Sequence, residues 1–175
     1  MKKLKVLTPL LLVIAILFLS TSCYIVSGQK MKYVKGTYEL TSYTRTNGKT
    51  NAVTDYMETI GYKAYLVVTG TGEGYYVFTN NTTAPTYRKV TLTYEYNTED
   101  SSKVDYVIYR FQGEEEQRLG VTRDSLTYSR IAIKLSENIY SDGYYMGWKK
   151  VSKTLDLSYA EEQLGSLTEY TTTQE

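Results

Sequence analysis

The stretch YRKVTLTYEYN, residues 87–97, constrains the fold more than any other part of the chain. Val90, Leu92, Tyr94 and Tyr96 fall on one face, and Thr91, Thr93 and Glu95 on the other. Period two is the spacing of a strand in a sheet that is wet on one side. Similar runs recur along the chain with turn signals between them. KYVKGTYELTSYTR ends at the Asn47-Gly48 turn, and GYKAYLVVT and EGYYVFT flank the glycine-rich GTGEG. KVDYVIYRF leads into the polar turn QGEEEQ, and RLGVT is a short strand. In SLTYSRIAIKL the apolar positions change phase, from Leu126 and Tyr128 to Ile131, Ile133 and Leu135. A bulge or bend near Ser129 accounts for that slip. GYYMGWKKVSK is the last strand, entered through a hairpin turn at Ser141-Asp142-Gly143.

Two short helices interrupt the strands. Asp55 and Glu58 have the spacing of a helix start, and Gly61 can end it. Ser158 and Glu161 match a capping box, with Gly165 as the stop. Neither helix exceeds two turns, so both depend on packing against the sheet. The expectation is an all-β domain over residues 33–165, an antiparallel up-and-down barrel of about eight strands with a short C-terminal helix. Closure removes the edge strands that an all-β chain must otherwise protect. A two-sheet β-sandwich fits the same pattern. Residues 166–175 read as a flexible polar tail.

The amino terminus is separate from this pattern. Lys2, Lys3 and Lys5 precede an unbroken apolar stretch from Leu10 to Leu19, and Ser20-Thr21-Ser22 then lead to Cys23. This is the charged, apolar, small-residue order of a secretory signal. Ten apolar residues span about 15 Å as helix, half of a bilayer's hydrocarbon core. An uncleaved anchor would have to run from Val6 to Val26, across Pro9 and the hydroxyl run Ser20-Thr21-Ser22. The segment resembles the lipobox of bacterial lipoprotein signal peptides. Ser22 stands where that family has a small residue, while Ser20 stands where it usually has leucine. The resemblance implies a signal peptide over residues 1–22, a lipidated Cys23 as the first mature residue, and a tether over 23–32. The place of action would be the bacterial cell envelope, anchored to the membrane by lipid and facing outside the cytoplasm. The alternative is an incidental cysteine, which would leave a single reactive thiol in an exported chain.

KGTYELTSY, residues 35–43, is similar to the first strand of lipocalin-like domains, with tyrosine in place of the family's tryptophan. A helical turn after strand one, a glycine-rich hairpin and the ending GWKKVSK extend the likeness over roughly residues 33–165. The resemblance implies a barrel-base motif at Gly36 and Tyr38, in which the aromatic plugs the closed end beneath a basic residue, Lys149 or Lys150. It also implies that residues 46–61 form a loop over the open end.

Composition narrows the chemistry. Three of the 20 basic residues lie in the first 22 positions, which hold no acid, so the remainder has 17 basic against 19 acidic residues. That balance argues against a nucleic-acid partner and against a polybasic membrane contact. There is no histidine, so Ser-His-Asp triads, Cys-His pairs and histidine-containing metal sites are excluded. Gly70-x-Gly72-x-Gly74 lacks the third glycine of a nucleotide fingerprint and is followed by a strand, so it reads as a turn. Glu114-Glu115-Glu116 are adjacent and cannot converge on calcium. No catalytic, cofactor or metal set emerges, and the reading is a protein without enzymatic activity. The 20 tyrosines remain. With Tyr38 pointing inward, the even-numbered faces of later strands bring Tyr94, Tyr106, Tyr128, Tyr144 and Trp148 into the barrel as candidate ligand contacts. The plainer reading is that these rings are core and fill the space a cavity would need. Two roles follow: binding a small apolar or amphipathic molecule, or contacting an envelope protein or glycan through a Tyr/Thr-rich surface.

Overall fold

The alternation is realised as one long meander. The computed structural model describes residues 33–70 and 72–170. In chain order these form β1 (Gly36–Thr46), β2 (Val53–Asp55), α1 (Tyr56–Ile60), β3 (Lys63–Val68), β4 (Glu73–Asn80), β5 (Thr83–Tyr96) and β6 (Val104–Arg110). There follow β7 (Gln117–Thr122), β8 (Ser125–Arg130), β9 (Ile133–Ser136), β10 (Ile139–Ser141), β11 (Gly143–Ser152), α2 (Ser158–Leu164) and β12 (Thr168–Glu169). The expected signal segment, Cys23 and the tether lie outside the described residues.

From β1 through β3, β4, β5, β6, β7 and β8 to β11, each strand pairs antiparallel with the next, and β11 returns to pair with β1. The chain is therefore a closed eight-stranded antiparallel up-and-down barrel with a short C-terminal helix, a fold of the lipocalin type. Closure sets aside the sandwich. One end, the base, holds the start of β1, the turns after β3, β5 and β7, and the end of β11. The other, open end holds residues 46–62, the turns after β4 and β6, and the long connection from β8 to β11.

The base is sealed by the first-strand motif. Tyr38 is 1 % exposed, and its hydroxyl donates to the Val34 carbonyl at 2.7 Å. The Lys150 ammonium stands 5.3 Å from the centre of its ring and donates to the Tyr33 carbonyl. Lys150, not Lys149, is thus the basic residue over the plug, a cation on an aromatic face. Gly36 has φ +146°, and a Cβ there would lie 2.5 Å from the Ser152 carbonyl oxygen. Only glycine lets β1 and β11 approach this closely. Above the plug, Leu66, Leu92, Val107, Leu119, Leu126 and Trp148 are buried and fill the barrel.

A second, smaller cluster lies outside the barrel wall. Ala160 of α2 is fully buried against Tyr65 and Val77, with Tyr159 edge-on to Tyr65 at 6.0 Å. A helix of seven residues is unstable alone, and this contact holds it. The first helix forms as its sequence predicts. Asp55 Oδ1 accepts from the amides of Met57 and Glu58, and Gly61 closes α1 in the left-handed conformation.

Four expectations are corrected. SLTYSRIAIKL is not one bulged strand: β8 ends at Arg130, and β9 and β10 form a separate two-stranded hairpin. The phase slip marks the chain leaving the barrel. Consequently Asp142 does not make a simple hairpin turn. It ties the connection to the end of β1, accepting from the Arg45 guanidinium and from the Gly48 amide at 3.0 Å. Ser158 is the first residue of α2 and makes no capping box; Asp156 Oδ1 accepts from its amide at 3.0 Å instead. Finally, part of the expected tail pairs with the barrel. Thr168 and Glu169 lie parallel to Thr86 and Tyr87 of β5. They occupy the edge that β6 leaves open, because β6 pairs with β5 only from Thr91 onward.

Candidate ligand-binding site

The open end carries a pocket of about 400 Å³. Its floor is aromatic because three strands deliver rings at one height. Tyr76 of β4, 6 % exposed, stacks on Tyr109 of β6 with centroids 5.7 Å apart. Phe111 meets Tyr76 edge-on at 5.3 Å, and Trp148 approaches it from the packed side at 5.7 Å. Edge-to-face and offset contacts of this kind add about 0.5–1.5 kcal/mol per pair beyond area burial.

The wall is built largely of hydroxyls. Tyr62 and Tyr76 share a hydrogen bond of 3.1 Å between their phenol oxygens. Tyr43 of β1 packs edge-on to Tyr62 at 5.4 Å and against Tyr56 of α1 at 4.6 Å. The segment expected over the open end, residues 46–61, contributes Tyr56 and Met57, Tyr62 follows just beyond it, and β2 extends the end of β1. The wall continues beside Tyr43 through its register partner Met146 on β11 and then Tyr128 on β8, with Tyr144 nearer the mouth. The rim is charged. Arg88 pairs with Glu114 at 2.8 Å and lies 4.0 Å from the centre of the Phe111 ring. Arg130 lies 4.9 Å from the Tyr144 ring centre. Glu116 turns instead toward Arg110, 3.9 Å away, so the glutamate run is divided between separate cations.

Burial raises the phenol pKa of Tyr76, Tyr109, Tyr62 and Tyr43, the last to about 12. These groups stay neutral near neutral pH. They can donate and accept hydrogen bonds, but they supply no phenolate for base catalysis. A flat apolar floor beneath neutral hydroxyls and a charged rim suits a small molecule with one apolar face and polar edges. Among the described residues, no group of three or more histidine, cysteine, aspartate or glutamate side chains is placed to hold a metal ion. None of the described helices is long and apolar enough to cross a membrane.

No protein-family model, curated protein or solved structure matches this chain.

The five candidate rings from the sequence separate into three groups. Tyr128 and Tyr144 line the pocket. Trp148 is 1 % exposed within the core, and Tyr94 packs against the same core toward the base. The open space therefore starts above the Tyr76–Tyr109 floor and is not a continuous cavity along the barrel. Tyr106 is the fifth, and it faces outward, with the Arg118 guanidinium 3.9 Å above its ring. The cause is an irregularity where Glu95 pairs with Tyr106 but Tyr96 pairs with Val104. The extra residue, Asp105, reverses the alternation and turns Val107, Tyr109 and Phe111 inward. Tyr43, Tyr62, Tyr76 and Tyr109 escaped the sequence reading. For Tyr76 a signal existed, since it shares the even-numbered face of EGYYVFT with Phe78.

Proposed function

We propose that this protein is an envelope lipoprotein, without enzymatic activity, whose barrel binds a small amphipathic molecule at its open end. The observation that carries the binding reading is the tyrosine-walled pocket above the Tyr76–Tyr109 floor. The anchoring reading rests on the sequence around Cys23, which would hold the chain outside the cytoplasm by lipid on its sulfur. More than one acyl chain is needed for a firm anchor, at about 0.8 kcal/mol per buried methylene. In this arrangement the base, where the tether enters at Tyr33, faces the membrane and the pocket faces away from it.

Native mass spectrometry of the protein recovered from its own membrane tests both parts. The expected mass begins at Cys23, carries lipid, and includes a small-molecule adduct. Tyr144→Trp, which crowds the mouth without touching the packed core, should release the adduct while the lipid stays. A chain that still begins at Met1 with an unmodified Cys23 would overturn the anchor, and a lipidated protein that never retains a small molecule would overturn the ligand. A second reading has its own support. Ile131, Ile133, Leu135 and Ile139 are exposed on and beside the β9–β10 hairpin, with exposed Val53 on β2 at the same end. A cluster of this kind suits contact with another envelope protein. The same spectrum would then show a protein adduct instead of a small one.

A further inference from the structure

The base of the barrel holds a second concavity, of about 590 Å³, lined by Tyr33, Lys35, Arg123, Lys150, Lys153 and Leu155, with Asp124 among them. Three loops that are distant in sequence converge there: the start of β1, the β7–β8 turn and the end of β11. Four cations thus surround one acid. Among the described residues, none of the four takes part in an ion pair, whereas six pairs form elsewhere on the surface. Asp124 is itself exposed and cannot neutralise four charges.

The arrangement is held in place from beneath. Lys150 is fixed over Tyr38 and bonded to the Tyr33 carbonyl, and the Lys150 amide donates to the Asp124 carbonyl at 2.8 Å. Burial lowers the pKa of the Lys150 ammonium; Asp124 opposes that and Lys153 adds to it. An anion in the concavity would relieve the repulsion between Lys150 and Lys153. The walls are not only charged. Tyr33 and Leu155 are 39 % and 42 % exposed there, and lysine stems offer apolar length below their charged heads. A bare inorganic anion would leave those apolar walls uncovered.

We propose that this basal concavity binds a net-anionic amphiphile with a terminal phosphate, the phosphate lying among Lys35, Arg123, Lys150 and Lys153 and the start of the apolar chain against Tyr33 and Leu155. The site lies within the barrel's own residues, so it stands whether or not Cys23 carries lipid. A near-neutral overall charge conceals it, because the fold gathers cations that are far apart along the chain.

The full chain, purified in neutral detergent, is titrated calorimetrically with three soluble probes: dihexanoyl phosphatidate, dihexanoyl phosphatidylcholine and inorganic phosphate. Phosphatidate is expected to bind tightest, with an affinity that falls as salt rises. The double variant Arg123→Gln/Lys153→Gln removes two exposed side chains that make no core contact, and its thermal midpoint should equal that of the parent. It should weaken phosphatidate binding by about tenfold or more, the loss expected for charge-assisted contacts. Lys134→Gln, on the β9–β10 hairpin at the open end, should change nothing. Equal binding of phosphatidate and phosphatidylcholine, or no effect of the double variant, would overturn the proposal. Inorganic phosphate binding as tightly as phosphatidate would overturn the amphiphile and leave a site for free phosphate. Loss of small-molecule retention at the open-end pocket has no bearing on any of these arms.

Discussion

Tyr76 is the side chain on which the open-end pocket depends, and its two parts can be separated. The ring is 6 % exposed and touches Tyr109, Phe111, Trp148 and Phe78 with centroids 5.3–6.1 Å apart. The hydroxyl has one protein partner, Tyr62, at 3.1 Å. Tyr76→Ala removes the ring from a packed floor and should cost about 3–5 kcal/mol, the range for deleting a large buried aromatic. Tyr76→Phe removes only the hydrogen bond. Because Tyr62 lines the pocket, its freed hydroxyl can turn to water, so the cost should stay near 0.5–1.5 kcal/mol. Urea unfolding followed by tryptophan fluorescence reads both, since Trp148 lies against the Tyr76 ring. The midpoint should fall with an unchanged slope. Adding Tyr62→Phe to Tyr76→Phe should cost little more than either change alone, because both delete the same bond. If Tyr76→Phe proved as damaging as Tyr76→Ala, the hydroxyl would be the structural element and the stacked floor would not. If Tyr76→Ala cost less than about 1 kcal/mol, the ring would not be part of a packed floor at all.

Two further outcomes are expected. Stability should fall steeply on the alkaline side: burial raises the phenol pKa of Tyr38, Tyr76, Tyr94 and Tyr109, and that of Tyr43 to about 12. From about pH 10 the unfolded chain releases phenol protons that the folded chain keeps, so each such tyrosine contributes stability that is full below pH 10 and lost as pH rises, by up to about 1.4 kcal/mol per unit; urea midpoints that stay level from pH 9 to 11 would refute it. Gly36→Ala should cost about 2–4 kcal/mol, from its positive φ and the contact with the Ser152 carbonyl, and a thermal midpoint within one degree of the parent would show that β1 and β11 can part without penalty.

The sequence made the wall of the barrel readable and its contents only partly so. Alternation in YRKVTLTYEYN gave the face of β5 correctly at Val90 and Leu92, because a half-wet strand must separate its apolar and polar residues. Asp55 and Gly61 bounded α1, because a cap acts on amides two and three residues away and needs no distant partner. The failures share one cause. Which way Tyr106 points depends on the extra residue at Asp105, and the sequence does not say where a bulge falls. At Ser129–Ile131 the same ambiguity appeared in reverse: a slip of phase reads alike whether a strand bends or ends. The pocket needs both decisions at once, since Tyr43, Tyr76, Tyr109 and Tyr128 meet only when four registers are right.

The pairing of β1 with β11 has a consequence for how the chain is made. The strand that completes the cylinder lies more than a hundred residues beyond the one it joins, as the Thr41–Gly147 hydrogen bond at a separation of 106 shows. A growing polypeptide that has emerged only as far as Arg130 has two raw edges, β1 and β8, each able to pair with the wrong partner. Until β11 arrives it has no closed form to adopt. The hairpin of β9 and β10, inserted just before that last strand, lengthens the wait. Such a molecule stays open until its last strand is in place, so truncations upstream of residue 152 should accumulate as aggregates and not as smaller barrels.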